Sequence, residues 1–193
     1  MEKAFRVISV VTVPPIFALV FLLTVYFRQP GVFSSASQLV WAILFLSALP
    51  ISGYPLQRCI PYFRAKGREG QRSLAMICSA AGYLLGLVTA IMAQASRALV
   101  AIYLEYLLCG IAMLVFNRCF RLRASGHACG IVAPVLLLAA FHLYGAAFLG
   151  ALLIVPVLVS SVRTGRHTPA QLLGGCAIAA VCLALTEALL LLL

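Results

Sequence analysis

This chain has little charge and almost no acid: 9% of its 193 residues are charged, and four of them are carboxylates. A water-soluble domain is about a quarter charged. With 64% hydrophobic residues and a mean hydropathy of +1.12, the chain has more apolar surface than folding in water can hide. Lipid as solvent accounts for it, and lipid admits only helices or closed barrels. The apolar runs are continuous and do not alternate with polar residues, which selects helices. Paired cysteines are missing as well. The seven cysteines (59, 78, 109, 119, 129, 176 and 182) form no CxxC, and most lie within or beside apolar runs. They read as small buried hydrophobes, not as a disulfide framework or a metal site. No loop is long enough for a soluble domain: the longest covers about residues 55–73. Low-complexity linkers and convincing repeats are also absent. A single transmembrane domain over residues 1–193 follows.

What is present is a series of apolar runs, at about 7–27, 36–54, 74–93, 98–116, 128–144, 146–162 and 172–193. The expected fold is all-α, a polytopic membrane bundle of six or seven helices. The fifth and sixth runs share one stretch of minimal length for two crossings, broken near Gly145, and a re-entrant pair is the alternative there. Lys3 and Arg6 precede the first run as they would in a signal sequence. That run is long, is interrupted by Pro14-Pro15 and is followed by no small-x-small site, so a retained helix is expected.

The net charge of +10 would suggest nucleic acid in a soluble protein. Here the basic residues sit between apolar runs, which points to anionic headgroups or a surface phosphate and not to nucleic acid. With the N-terminus in the cytoplasm, inside segments hold twelve basic residues: Lys3, Arg6, Arg58, Arg64, Lys66, Arg68, Arg72, Arg118, Arg121, Arg123, Arg163 and Arg166. Outside loops hold two, Arg28 and Arg97. That bias sets the orientation. It survives removal of five arginines suspected of chemistry (68, 72, 123, 163 and 166), which leaves seven against two.

Three basic loops share one face. The first reads Arg64-Ala-Lys66-Gly-Arg68-Glu-Gly-Gln-Arg72-Ser73, and the second Asn117-Arg118-Cys-Phe-Arg121-Leu-Arg123-Ala-Ser125-Gly126-His127. The third reads Arg163-Thr-Gly165-Arg166-His167-Thr168-Pro169-Ala-Gln171. Two of the three histidines lie here, each beside arginine, glycine and a hydroxyl. Arginine forks suit phosphate oxygens. One neutral imidazole can attack phosphorus and another can protonate a leaving oxygen. Pro169 suits the first turn of the last helix. His167 then stands just before that turn, and Gln171 lies four residues on, where its amide can reach one ring nitrogen.

These loops resemble the motifs of the membrane phosphatidic acid phosphatase type 2 (PAP2) superfamily. Ser125-Gly126-His127 is similar to its Pro-Ser-Gly-His motif, with Ala124 at the proline position. Gly165-Arg166-His167-Thr168-Pro169-Ala170-Gln171, followed by Gly174-Gly175, is similar to its third motif in the branch that carries Gln in place of Asp. Arg68-Glu-Gly-Gln-Arg72 looks like a weak first motif. The resemblance spans about residues 64–175 and leaves 1–63 as additional N-terminal transmembrane helices. It implies a PAP2-like core in a bacterial or archaeal plasma membrane. It also implies a lipid phosphatase acting on a phosphomonoester or diphosphate, of the phosphatidate or polyprenyl (pyro)phosphate class. His167 would be the nucleophile forming a phosphohistidine, His127 the general acid, and Gln171 the residue orienting His167. Arg68, Arg72, Arg123, Ser125 and Gly126 would hold phosphate, and Arg166 belongs to the same loop set. Ser161 stands where the third-motif arginine is expected, and Arg163 is the neighbouring charge that could replace it. Arginines neutralise the phosphate and no carboxylate cluster exists for Mg²⁺, so neither metal nor cofactor is expected.

Two other readings use the same residues. One is an anionic-lipid transporter or flippase. The other is a catalytically inactive PAP2-fold protein that binds lipid phosphate, supported by Ser161 and Gln171. Glu105 and Glu187 fall inside apolar runs and are read chiefly as packed or span-end carboxyls. His142 is read as packed or interfacial near the opposite face, and Gly82-x-x-x-Gly86 as an internal helix contact.

Overall fold

The computed structural model of the chain describes residues 13–119 and 123–192. Lys3, Arg6, Arg121 and the start of the first apolar run lie outside them. Every regular element among the described residues is helical. In chain order these are α1 (Pro14–Arg28), α2 (Ala36–Leu56), α3 (Pro61–Ala65), α4 (Gly67–Met92), α5 (Arg97–Arg118), α6 (Gly126–Ala140), α7 (Tyr144–Arg163) and α8 (Pro169–Leu191). Five of them (α2, α4, α5, α7 and α8) are long and apolar enough to cross a membrane, while α1 and α6 are apolar but only 15 residues each. By length and composition this is an all-α integral membrane protein.

Prolines and glycines shape the helices. Pro14 and Pro15 open α1, where a missing N–H leaves no bond unmade. Pro50 lies within α2 and cannot donate to the turn before it. There the helix widens into a π turn over Leu44–Ala48, and the Leu49 N–H reaches back to Leu44 O. The same turn buries Ser47, whose hydroxyl donates to Pro15 O at 2.7 Å and fastens α2 to α1. Gly82 and Gly86 bring α4 against its neighbours: a Cβ on Gly82 would strike Phe45 O of α2, and one on Gly86 the Tyr103 ring of α5. The pair is thus occupied inside the bundle.

The fifth and sixth runs are separated at residues 141–143, earlier than expected. Gly145 lies in the first turn of α7. His142 ends α6 in a left-handed conformation (φ +59°). His142 N–H donates to Ala139 O and Leu143 N–H to Leu138 O, both at 2.9 Å, a Schellman ending that usually takes glycine. Turn geometry, with no glycine to announce it, decided the break.

The bundle has two parts, joined by α5 and by the packing of α1 on α2. In one, α6 packs against α1, α7 and α8; in the other, α4 packs against α2 and α3. α5 touches α4, α6 and α8. Hydrogen bonds between loops define two faces. On one, Asn117 Nδ2 donates to Ala124 O (3.1 Å) and Ser125 N–H to Gln171 O (2.9 Å). On the other, Ser96 Oγ donates to Val32 O (2.6 Å) and Gln29 Nε2 to Phe141 O (3.4 Å). The described residues of the basic loops lie at the helix ends of the first face. Arg28 and Arg97 belong to the second.

Candidate functional site

The third-motif loop is built from two helix ends in succession. α7 finishes in a Schellman ending with Gly165 left-handed (φ +65°), and Gly165 and Arg166 N–H groups donate to Val162 O (3.0 Å) and Ser161 O (3.1 Å). α8 then begins with a capping box. Thr168 Oγ1 accepts from Gln171 N–H at 3.3 Å, and Gln171 Oε1 accepts from Thr168 N–H at 3.2 Å. His167 is held between these two devices, half-buried.

His167 Nδ1 lies 3.3 Å from the same Gln171 Oε1. An atom that accepts from a backbone N–H must be the amide oxygen, not its nitrogen. In a neutral imidazole, Nδ1 therefore carries the proton and Nε2 keeps its lone pair. Thr168-Pro-Ala-Gln171 is a sequence signature for a capping box, and it places Gln171 under two constraints at once. Gln171 is therefore a structural residue of α8 as well as the neighbour of His167.

The second motif meets the third through the backbone. Gly174 and Gly175 let α8 approach: a Cβ on Gly175 would strike Ser125 O and come within 3.1 Å of the Cys129 N, and one on Gly174 would touch Ala124. Ser125 is fully buried and caps α6, its Oγ accepting from Ala128 N–H at 3.2 Å. The hydroxyl is thus engaged with α6, where the motif had suggested an open face toward phosphate. Gly126, at the first position of α6, is exposed. His127 follows it at the loop end of α6, half-buried, ahead of the apolar run. Burial, then the charges of His167 and Arg166, push His127 down from 6.5 to about 4. The direct link between the two histidine motifs is the Ser125–Gln171 backbone bond, at 2.9 Å.

The arginines divide into two sets. Arg123, Arg163 and Arg166 are exposed in the two loops that carry this pair, Arg123 with φ +48°. Arg68 and Arg72 are exposed on the first turns of α4, on the same face. α4 packs along α2, α3 and α5, and α5 in turn packs on α6 and α8. Gln57 secures their loop: it is buried, and its Nε2 donates to Phe63 O (3.0 Å) and Gly67 O (3.3 Å). Ser161 is buried in α7, and its carbonyl accepts the Arg166 N–H.

Glu105 is 0% exposed; Cys109 Sγ donates to its Oε1 (3.2 Å) and Thr186 Oγ1 to its Oε2 (3.1 Å). A partner 81 residues away has no sequence signal. Cys109, Cys129 and Cys182 pack in one apolar cluster from three helices, all as free thiols. Glu187 is exposed, and His142 pairs with the Tyr144 hydroxyl (2.7 Å) on the far face. Among the described residues, no group of three His, Cys, Asp or Glu side chains is arranged to hold a metal ion.

Comparison with protein-family models, with curated proteins and with solved structures finds no match.

Proposed function

We propose that the chain is an integral membrane lipid phosphatase that acts through a phosphohistidine on a lipid phosphomonoester or diphosphate. The observation that carries this reading is the Gln171-held His167, tied through the Ser125–Gln171 backbone bond to the motif that bears His127. His167 Nε2 attacks phosphorus as the bond to the leaving oxygen breaks. His127 gives that oxygen its proton. Water then attacks the phosphohistidine, His127 takes the water's proton, and inorganic phosphate leaves. Arg123, Arg163, Arg166 and the Gly126 N–H face the negative oxygens in this reading. Arg68 and Arg72 act from α4 as a more distant basic flank.

His127 has a value of about 4 before a phosphate arrives, so it is neutral near pH 7. A bound phosphate offsets the charge of Arg166 and draws a proton onto His127. Substrate and catalytic proton therefore bind together. In this reading the histidine-bearing face is cytoplasmic, as is the N-terminus, and the basic bias of that face supports it. The membrane would be the plasma membrane of a bacterium or archaeon.

Phosphate release from phosphatidate and from a polyprenyl diphosphate, in detergent with EDTA, tests the reading. His167→Ala and His127→Ala each abolish release if it is right; unchanged release in both variants overturns it. One observation favours a second reading, a PAP2-fold protein that binds lipid phosphate without turnover. Gln171 Oε1 is shared with the α8 cap and carries no charge to stabilise an imidazolium. Phosphate-lipid binding with no release by the unaltered chain would select it. A transporter would instead keep moving lipid after His167 is lost.

A further inference from the structure

On the face opposite the histidines, two open depressions adjoin at the end of α4. One, of about 320 Å³, lies between the α4–α5 turn and the end of α8, with Ile91, Val100 and Leu190 as apolar walls and Gln94 and Arg97 at its polar side. The other, of about 160 Å³, lies toward α2, with Trp41, Leu99 and Tyr103 in its walls. Ala90 and Ala95 line both. The larger is at the lower end of ligand-pocket volumes.

The turn between them is a built feature. α4 ends in a Schellman arrangement with Gln94 left-handed (φ +48°), Ala95 N–H donating to Ala90 O at 2.9 Å. Ser96 then caps α5 by accepting from Leu99 N–H at 3.1 Å. Arg97 follows at the first position of α5, exposed, where helix-end N–H groups add to its positive charge. Trp41 stacks on Phe45 beside the smaller depression (5.6 Å between centroids), an aromatic of the kind that marks a membrane–water boundary. Glu187 precedes Leu190 by three residues on α8 and lines neither depression.

One cationic group beside two apolar pockets with a common wall matches one chemistry. We infer that this face holds a two-chain phospholipid, its phosphodiester on Arg97 and the upper methylenes of one hydrocarbon chain against each depression. The site is separate from the histidines and the bound lipid is not turned over. A charge-assisted contact of this kind is worth roughly tenfold or more in affinity.

The test uses the full chain, purified in mild detergent and stripped of lipid. Dioleoylphosphatidylglycerol or dioleoylglycerol, which has the same chains without phosphate, is then added, and binding is read by native mass spectrometry. One dioleoylphosphatidylglycerol bound per chain, with dioleoylglycerol about tenfold weaker, is the expected result. Arg97→Ala loses that preference, Arg28→Ala on the same face keeps it, and His167→Ala keeps it. Ala95→Phe, which fills the common wall, weakens both lipids and stands in for Arg97→Ala should that variant aggregate. Equal binding of the two lipids, or full binding by whichever of Arg97→Ala and Ala95→Phe remains monodisperse, overturns the inference.

Discussion

Two of the three turns on either side of α6 and α7 contain a histidine, and the two histidines do different work. At the α6–α7 turn, His142 is itself the left-handed residue of a Schellman ending, exposed, with its ring on Tyr144. At the α7–α8 turn, Gly165 takes the left-handed position and leaves His167 two residues further on, where the α8 capping box holds its ring. The same local geometry therefore consumes one histidine and presents the other. A chemically useful histidine depends on which neighbour absorbs the backbone strain and which one fixes the tautomer.

The sharpest way to break this contrast is at the rings themselves. His167→Ala should lower phosphate release by at least about 10³-fold, as loss of a nucleophile does, while His142→Ala should stay within about twofold. Steady-state assays of both in one detergent decide it. Next in size is the Gln171 partner. Gln171→Glu keeps the capping box and adds a charge that stabilises an imidazolium, so turnover should rise at least about tenfold; in a Ser-His-Asp triad the reverse exchange loses about 10⁴. No gain in the kcat of Gln171→Glu would remove orientation of His167 from the list of its tasks.

Stability effects are smaller. Thr168→Ala removes one side of the capping box and should cost about 1 kcal/mol, read as a lower melting temperature in detergent. Gly165→Ala forces a Cβ into left-handed backbone and should also cost about 1 kcal/mol, whereas His142→Gly relieves the same strain on the other face and should gain about 0.5 kcal/mol. A histidine held down at about 4 gives a separate pH signature. The unfolded chain, near 6.5, takes up the proton first, so stability is full above pH 6.5 and falls as the pH drops from 6.5 toward 4. His127→Gln should flatten that part of the curve.

Much of the fold was legible because the bilayer makes it so. Among the described residues each apolar run corresponds to an apolar helix, five of them long enough to cross a membrane where six or seven were expected, and most described ends fall within a few residues of where hydropathy put them. The α6–α7 break was misplaced because a left-handed histidine leaves no compositional mark, whereas Gly145 seemed to. Within the site, the Gln171–His167 contact was readable from a spacing of four across the start of α8. The Thr168–Gln171 box was readable too, from Thr-Pro-Ala-Gln, yet its competition for the same oxygen needed coordinates. Burial of Ser125 and the packing of α4 on α5 are products of contact between distant segments. No local pattern encodes them.

Gly175 has a consequence beyond close packing. It sets a gauge between the two motifs: α8 lies against Ser125 O because one carbon atom is missing there. A methyl group at that point would act as a shim, pushing the start of α8, and with it His167, away from His127. The reach between the imidazoles is adjustable by a residue that belongs to neither loop and bears no chemistry. A graded series at this position, Gly to Ala to Val, would tune the spacing of the pair without touching either ring.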